Sequence, residues 1–215
     1  MNRVIFDLDG TLLDTGRGIV KSVAFTLKKM GLPVPCEDVC KSFVGPPFKK
    51  RFLELFNTDE KTADAALTIF REEYGKGDVF LADPYVGMME SLKNLHEHHS
   101  LAVATNKSEI HAVALLEKFD LAHFFDVICG SDMAASMSKE QIVAKAAKQL
   151  GISHKDCLLV GDSDNDAKAA ACLEMRFIGV TYGYGFKKPA DLKQYPHVGC
   201  AESPSSLMEI VNTAG

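Results

Sequence analysis

Short apolar runs alternate along this chain with longer stretches in which apolar residues recur every three or four positions. The runs are Val4-Ile5-Phe6, Leu101-Ala102-Val103-Ala104, Val127-Ile128-Cys129, Cys157-Leu158-Leu159-Val160 and Phe177-Ile178-Gly179-Val180. Each is too short for a helix, and each predicts a buried strand. Between them, Val86, Met89, Leu92 and Leu95 step by threes, as do Ile110, Val113, Leu116 and Phe119. Ile142, Val143, Ala146 and Leu150 form the stripe of a further helix. It opens on Ser138 with Gln141 three residues on, a capping box, and closes on Gly151. Strands alternating with helices predict βαβ units and a mostly parallel sheet, an α/β, Rossmann-like core. Such sheets bind ligands beyond the carboxyl ends of their strands, so the residues after each strand carry the chemistry.

The alternation fails from about residue 15 to residue 82. Ile19, Val23, Leu27 and Met30 mark a helix ended by Gly31. Phe48, Phe52, Leu55 and Phe56 mark a second. A third runs from Thr58, read as its N-cap, to about Tyr74, with Ala63, Ala66, Leu67 and Phe70 as its stripe. A crossover between neighbouring strands does not need a segment of this length. Residues 15–82 therefore read as an inserted all-helical cap domain, and residues 1–14 and 83–215 as the core.

Composition narrows the picture. The 215 residues suit one domain with an insert better than two full domains. Apolar residues at 47% and charged residues at 25% are ordinary globular values, which excludes disorder. The net charge of −5 lacks the basic footprint of a nucleic-acid binder. No apolar run approaches the roughly 20 residues of a membrane span. The N-terminal run meets Asp7 after three residues, unlike a signal peptide. A cytoplasmic location is expected, with no membrane or nucleic-acid partner and a monomer or weak homodimer. The six cysteines include no CxxC pair, so neither a disulfide nor a zinc site is expected.

Four strand ends carry candidate chemistry. The first leads into Asp7-Leu8-Asp9-Gly10-Thr11. Two carboxylates two residues apart point the same way on an extended backbone, and repel unless a cation or proton intervenes. The second ends in Thr105-Asn106-Lys107, a hydroxyl, an amide and an ammonium suited to an anion. After the third comes Lys139 at a helix start, where it opposes the dipole and calls for an anion. The fourth ends in Gly161-Asp162-Ser163-Asp164-Asn165-Asp166. An EF-hand would need Gly at 167 and Glu at 173, but the chain has Ala167 and Leu173. Two acidic clusters and several donors at one sheet edge form a Mg²⁺ plus phosphate constellation. Asp7, Asp9 and Asp162 would hold the ion, and Thr105, Asn106 and Lys139 the phosphoryl oxygens. No Walker A loop is present, and an aspartate can itself be the nucleophile.

These four stations, in this order and with a helical insert between the first two, resemble the haloacid dehalogenase superfamily of phosphohydrolases. Within it they resemble the phosphoglycolate-phosphatase-like group. Asp83-Pro84-Tyr85-Val86-Gly87 looks like that group's return segment, with Val86 in place of a proline. Lys139-Glu140 stands where many relatives have Lys-Pro. The resemblance implies Asp7 as nucleophile and Asp9 as general acid and then base. It implies Mg²⁺ held by Asp7, Asp162 and the main-chain carbonyl of Asp9, with Asp166 supporting from behind. Thr105 and Lys139 would position the phosphoryl group, with Lys139 offsetting the charge on Asp7. Asp164 has no assigned role, and Lys145 and Lys148 are poorer substitutes for Lys139.

The expected activity is Mg²⁺-dependent hydrolysis of a small anionic phosphorylated metabolite of the phosphoglycolate type. A 5′-nucleotidase, a pyrophosphatase, a β-phosphoglucomutase-like phosphotransferase and a non-enzymatic regulatory module are the alternatives. Dehalogenation is disfavoured, because such relatives lack the second aspartate that Asp9 supplies. The cap holds 11 basic and 9 acidic residues, so a slightly basic lid would cover an acidic core. Its Gly45-Pro46-Pro47 turn reads either as a helix start or as a loop dipping to the site. Gly183-Tyr184-Gly185 reads as a turn flanking the site, and His96-Glu97-His98-His99 as a surface helix end.

Overall fold

A computed structural model describes residues 3–132 and 137–213. The strands are β1 (Arg3–Phe6), β2 (Leu13–Asp14), β3 (Asp83–Pro84), β4 (Ser100–Ser108), β5 (Val127–Ser131), β6 (Cys157–Gly161), β7 (Arg176–Val180) and β8 (Gly199–Ala201). The helices are α1 (Gly16–Lys29), α2 (Glu37–Lys41), α3 (Phe48–Phe56), α4 (Glu60–Gly75), α5 (Met88–His98), α6 (Glu109–Lys118), α7 (Lys139–Gln149), α8 (Asp164–Cys172) and α9 (Pro204–Thr213). Six strands form one parallel sheet in the order β5-β4-β1-β6-β7-β8. The fold is thus a Rossmann-like parallel core with an inserted helical segment, as the alternation of runs predicts.

Period-two alternation puts each strand's side chains into two cores. Val4 and Phe6 of β1 join Leu101, Val103, Leu158 and Val160 on one face. Ile5 joins Ala102, Ala104 and Leu159 on the other. The second face is covered by Ile142, Val143 and Ala146 of α7 and by the alanines of α8. The first is covered by Leu92 and Leu95 of α5, Leu115 and Leu116 of α6, and Leu207 and Val211 of α9.

Helices α1–α4 all lie between β2 and β3. Those two short strands pair antiparallel, Leu13 with Pro84 and Asp14 with Asp83, so the two crossings between sheet and helical segment run side by side. An aromatic row holds the segment together: the rings of Phe48 and Phe70 stack at 4.5 Å and those of Phe70 and Tyr74 at 5.4 Å.

Three local readings are corrected. Strand β8 has no apolar run to announce it; Gly199-Cys200-Ala201 is ordered by pairing with β7. The N-cap of α4 is Asp59 rather than Thr58, its carboxylate accepting from the Thr62 amide at 2.8 Å. His99 is buried rather than at the surface, its Nε2 2.8 Å from Asn212 Oδ1 of α9. Among the described residues no helix is long and apolar enough to cross a membrane.

Candidate active site

The chain moves from β1 outward through β4 to β5, then returns to the opposite side of β1 at β6. The crevice of such a sheet opens at that reversal, between the carboxyl ends of β1 and β6. Asp7 follows β1, its amide donating to Val160 O at 2.9 Å, and Asp162 follows β6. Asp166 sits in the first turn of α8, where its carboxylate accepts from the Ser163 amide and hydroxyl at 3.2 and 2.6 Å. Carboxylate oxygens of Asp7, Asp162 and Asp166 lie within 4.8 Å of one another, and all three residues are buried.

Lys139 enters this cluster from α7. Its Nζ donates to Asp7 Oδ1 at 2.7 Å and to Ala104 O at 2.8 Å, and lies 2.9 Å from Asp166 Oδ1. Burial opposes its charge, but Asp166 and Asp7 outweigh burial and hold the ammonium firmly protonated. The anion that its helix-start position called for is thus a pair of carboxylates. One ammonium does not balance three buried carboxylates. Burial, opposed by Lys139 and reinforced by Asp166 and Asp9, raises Asp7 to about 7. Burial together with Asp166 and Asp7 raises Asp162 to about 8, against the N–H groups of Gly185 and Tyr184.

The donor set suits a hard divalent cation, which takes oxygen ligands. Asp162 Oδ1 is buried with no hydrogen-bond partner, so it has a coordination position to give. Asp7, Asp162 and Asp166 are the side chains that would hold the ion. The side chain of Asp9 is not among them. Its Oδ1 accepts from Thr15 Oγ1 at 2.6 Å and lies 3.1 Å from Lys107 Nζ. The Asp9 carboxylate, expected at the ion, thus faces Thr15 and Lys107 and lies outside the three-carboxylate cluster.

Cation-free protein therefore has a distinctive pH response. Asp7 and Asp162 keep protons in the fold to about 7 and about 8 that the unfolded chain releases near 4. The folded state binds more protons across that window, so stability falls as pH rises through it. Melting in EDTA should show Tm declining from pH 5 to pH 8, and Mg²⁺ should restore most of the loss at pH 8. Calorimetry in buffers of differing ionisation enthalpy should show protons released on Mg²⁺ binding at pH 7.5.

A bulge after Thr105 breaks the pairing of β4 with β5 and re-aims the next two residues. Thr105 is buried at the site, its Oγ1 accepting from the Lys107 amide at 3.2 Å. Asn106, expected among the phosphoryl donors, instead donates through Nδ2 to Gly45 O at 3.0 Å, while its Oδ1 is buried without a partner. The Gly45-Pro46-Pro47 turn therefore meets the sheet edge. Lys107 has no role in the sequence reading beyond its place in a donor triplet. Its ammonium donates to Tyr74 Oη of α4 at 2.7 Å and faces Asp9. Burial opposes its charge, and Asp9 and Tyr74 outweigh burial. Nothing local to Lys107 could have revealed this, because Tyr74 arrives from the helical insert. Asp164 is exposed and pairs with Lys168, and Lys145 pairs with Glu109 at 2.8 Å, away from the carboxylates.

Beyond Asp9 and Lys107, a cavity of about 140 Å³ runs beneath the helical segment. Phe43, Phe48, Phe70 and Tyr74 form its aromatic wall, with Arg71 and His111 beside them.

This chain is similar to known proteins. The family profile described as haloacid dehalogenase-like hydrolase matches residues 4–180. A 5′-nucleotidase of Pseudomonas aeruginosa is 31% identical over 201 residues, 93% of this chain and 90% of that protein. A phosphoglycolate phosphatase of Agrobacterium fabrum is 36% identical over 191 residues, 84% of this chain and 80% of that one. Among solved structures, a predicted phosphatase from Clostridium acetobutylicum superposes with a TM-score of 0.93 at 34% identity, covering 99% of this chain and 98% of that one.

Proposed function

This chain belongs to the haloacid dehalogenase-like hydrolase family, and from that premise we propose that it is a Mg²⁺-dependent phosphatase of a small phosphomonoester, with Asp7 as nucleophile and residues 15–82 as its cap. One observation carries the reading. Asp7 is locked by Lys139 inside the three-carboxylate cluster, while Asp9, two residues on, accepts from Thr15 and faces the cavity with Lys107. Asp7 and Asp9 thus hold different partners, which leaves the Asp9 carboxyl facing the cavity for acid–base work.

In the first step an Asp7 oxygen attacks phosphorus and the bond to the leaving oxygen breaks. Asp9 gives its proton to that oxygen. In the second, Asp9 takes a proton from water, and the water oxygen attacks phosphorus, releasing inorganic phosphate and Asp7. A bound Mg²⁺ would supply charge neutralisation between Asp7 and the phosphoryl oxygens. Lys139 fixes the attacking carboxylate, and the Thr105 hydroxyl, on the neighbouring strand β4, would offer its proton to the phosphoryl group.

The cavity bears on the choice of leaving group. Its aromatic wall favours a nucleoside 5′-monophosphate over phosphoglycolate, because a flat base gains stacking that glycolate cannot. The likeness to a 5′-nucleotidase fits this choice, and the likeness to a phosphoglycolate phosphatase names its competitor. Phosphate release should be measured for nucleoside monophosphates, phosphoglycolate, sugar phosphates and pyrophosphate, with Mg²⁺ and with EDTA. The expected result is a kcat/KM for the best nucleotide at least about tenfold above phosphoglycolate, about 1.4 kcal/mol of preference. Preference for phosphoglycolate would return the leaving group to the smaller class. Isomerisation of a sugar phosphate outpacing phosphate release would favour a phosphotransferase.

A further inference from the structure

The loop after β7 does more than flank the site. Its main chain holds Asp162: the amides of Tyr184 and Gly185 donate to Asp162 Oδ2 at 2.6 and 3.0 Å. The Phe186 amide donates to the Asp162 carbonyl at 2.7 Å. Glycine is required on both sides of Tyr184. A Cβ at Gly183 would overlap the Asp162 side chain and Gly10 O, and one at Gly185 would stand 2.5 Å from Asp162 O.

The side chains of the same loop hold the two crossings into the helical segment. Tyr184 Oη donates to the Asp14 carboxylate of β2 and accepts from the Gly16 amide, the first of α1, at 2.8 Å. That amide has no partner within the helix, and it also donates to Asp14 Oδ1 at 3.2 Å, so Tyr184 and Asp14 together hold the first turn. Tyr182 Oη donates to Thr11 O at 3.0 Å, and its ring meets Tyr85 edge-on at 4.8 Å beside β3. One short loop thus grips a candidate metal ligand with its backbone and both crossings with its tyrosines.

We propose that Tyr184 is a positioning residue that couples Asp162 to the start of α1, so that a cation on Asp162 fixes the seat of the helical segment over the cavity. The proposal rests on the metal site proposed above. Substrates that touch the helical segment gain from this coupling, and the chemistry at Asp7 does not depend on it.

The test uses the full chain as wild type, Tyr184→Phe and Asp14→Asn. Tyr184→Phe keeps the ring and both amides and removes only the hydroxyl. Hydrogen exchange at Gly16–Ile19 is followed in EDTA and in saturating Mg²⁺, with the Mg²⁺ Kd from calorimetry. In the wild type Mg²⁺ should slow exchange there by about fivefold or more. In Tyr184→Phe the Kd should stay within about twofold while the Mg²⁺-linked slowing is lost, and KM for the best substrate should rise more than kcat falls. Asp14→Asn should lose the slowing too, so a folding defect in one variant still leaves a test. Equal slowing in wild type and both variants overturns the coupling while leaving the metal site standing. Absence of any Mg²⁺ binding by the wild type overturns the metal site, and the coupling with it.

Discussion

Asp7→Asn should lower kcat/KM for every phosphomonoester the protein turns over by about four orders of magnitude or more. Asparagine keeps the shape of the side chain but cannot attack phosphorus. The same change should leave the fold intact, or more stable at pH 8. Asp7 is buried beside Asp166 and Asp162 and is pushed up to about 7, so its negative charge is a burden above that pH when no cation is bound. Phosphate release and a melt in EDTA, run on one preparation, check both halves. A variant that keeps a tenth of the wild-type turnover would place the nucleophile elsewhere.

Lys139→Met should have the largest effect on stability. The ammonium is buried between Asp7 and Asp166 and is tied to Ala104 O. Its removal strands two buried carboxylates without their cation. Breaking a buried pair from one side costs about 3–5 kcal/mol. The loss should be largest at pH 8 and shrink toward pH 5. Without the lysine Asp7 holds its proton to a higher pH still, and a protonated carboxyl needs no countercharge. Urea melts at the two pH values measure this, and a small, pH-independent loss would contradict the electrostatic role. Adding Asp7→Asn to Lys139→Met should recover part of the stability and none of the activity, the non-additivity expected of contacting groups.

The readings that succeeded share a physical cause. Five strands were legible because a strand buried on both faces is a short unbroken apolar run, and β1, β4, β5, β6 and β7 are such runs. Strand β8 was not, because pairing with β7 orders a Gly-Cys-Ala segment that has no propensity of its own. Asp7, Asp162 and Asp166 were legible because each follows a strand end or opens a helix, where the topology rule points. Lys107, Thr15 and Tyr184 escaped because their partners lie far off in the chain: Tyr74 of α4, the Asp9 carboxylate, and Asp14 with Gly16. Local pattern can nominate a residue for a strand end, but only folding brings a tyrosine from the insert onto it. Asn106 shows the converse. Its chemistry suited an anion, but the bulge after Thr105 turns it to the Gly45 carbonyl.

The most direct measurement is chemical trapping of Asp7 during turnover. A single turnover with the best substrate and Mg²⁺ is quenched and treated with borohydride, which reduces an acyl phosphate to the alcohol. The digested chain is then read by mass spectrometry. A phospho-aspartate at Asp7 predicts homoserine at position 7, only when substrate and Mg²⁺ are both present, and none in Asp7→Asn. Full turnover with an unmodified Asp7, or reduction at another carboxylate, would contradict the account.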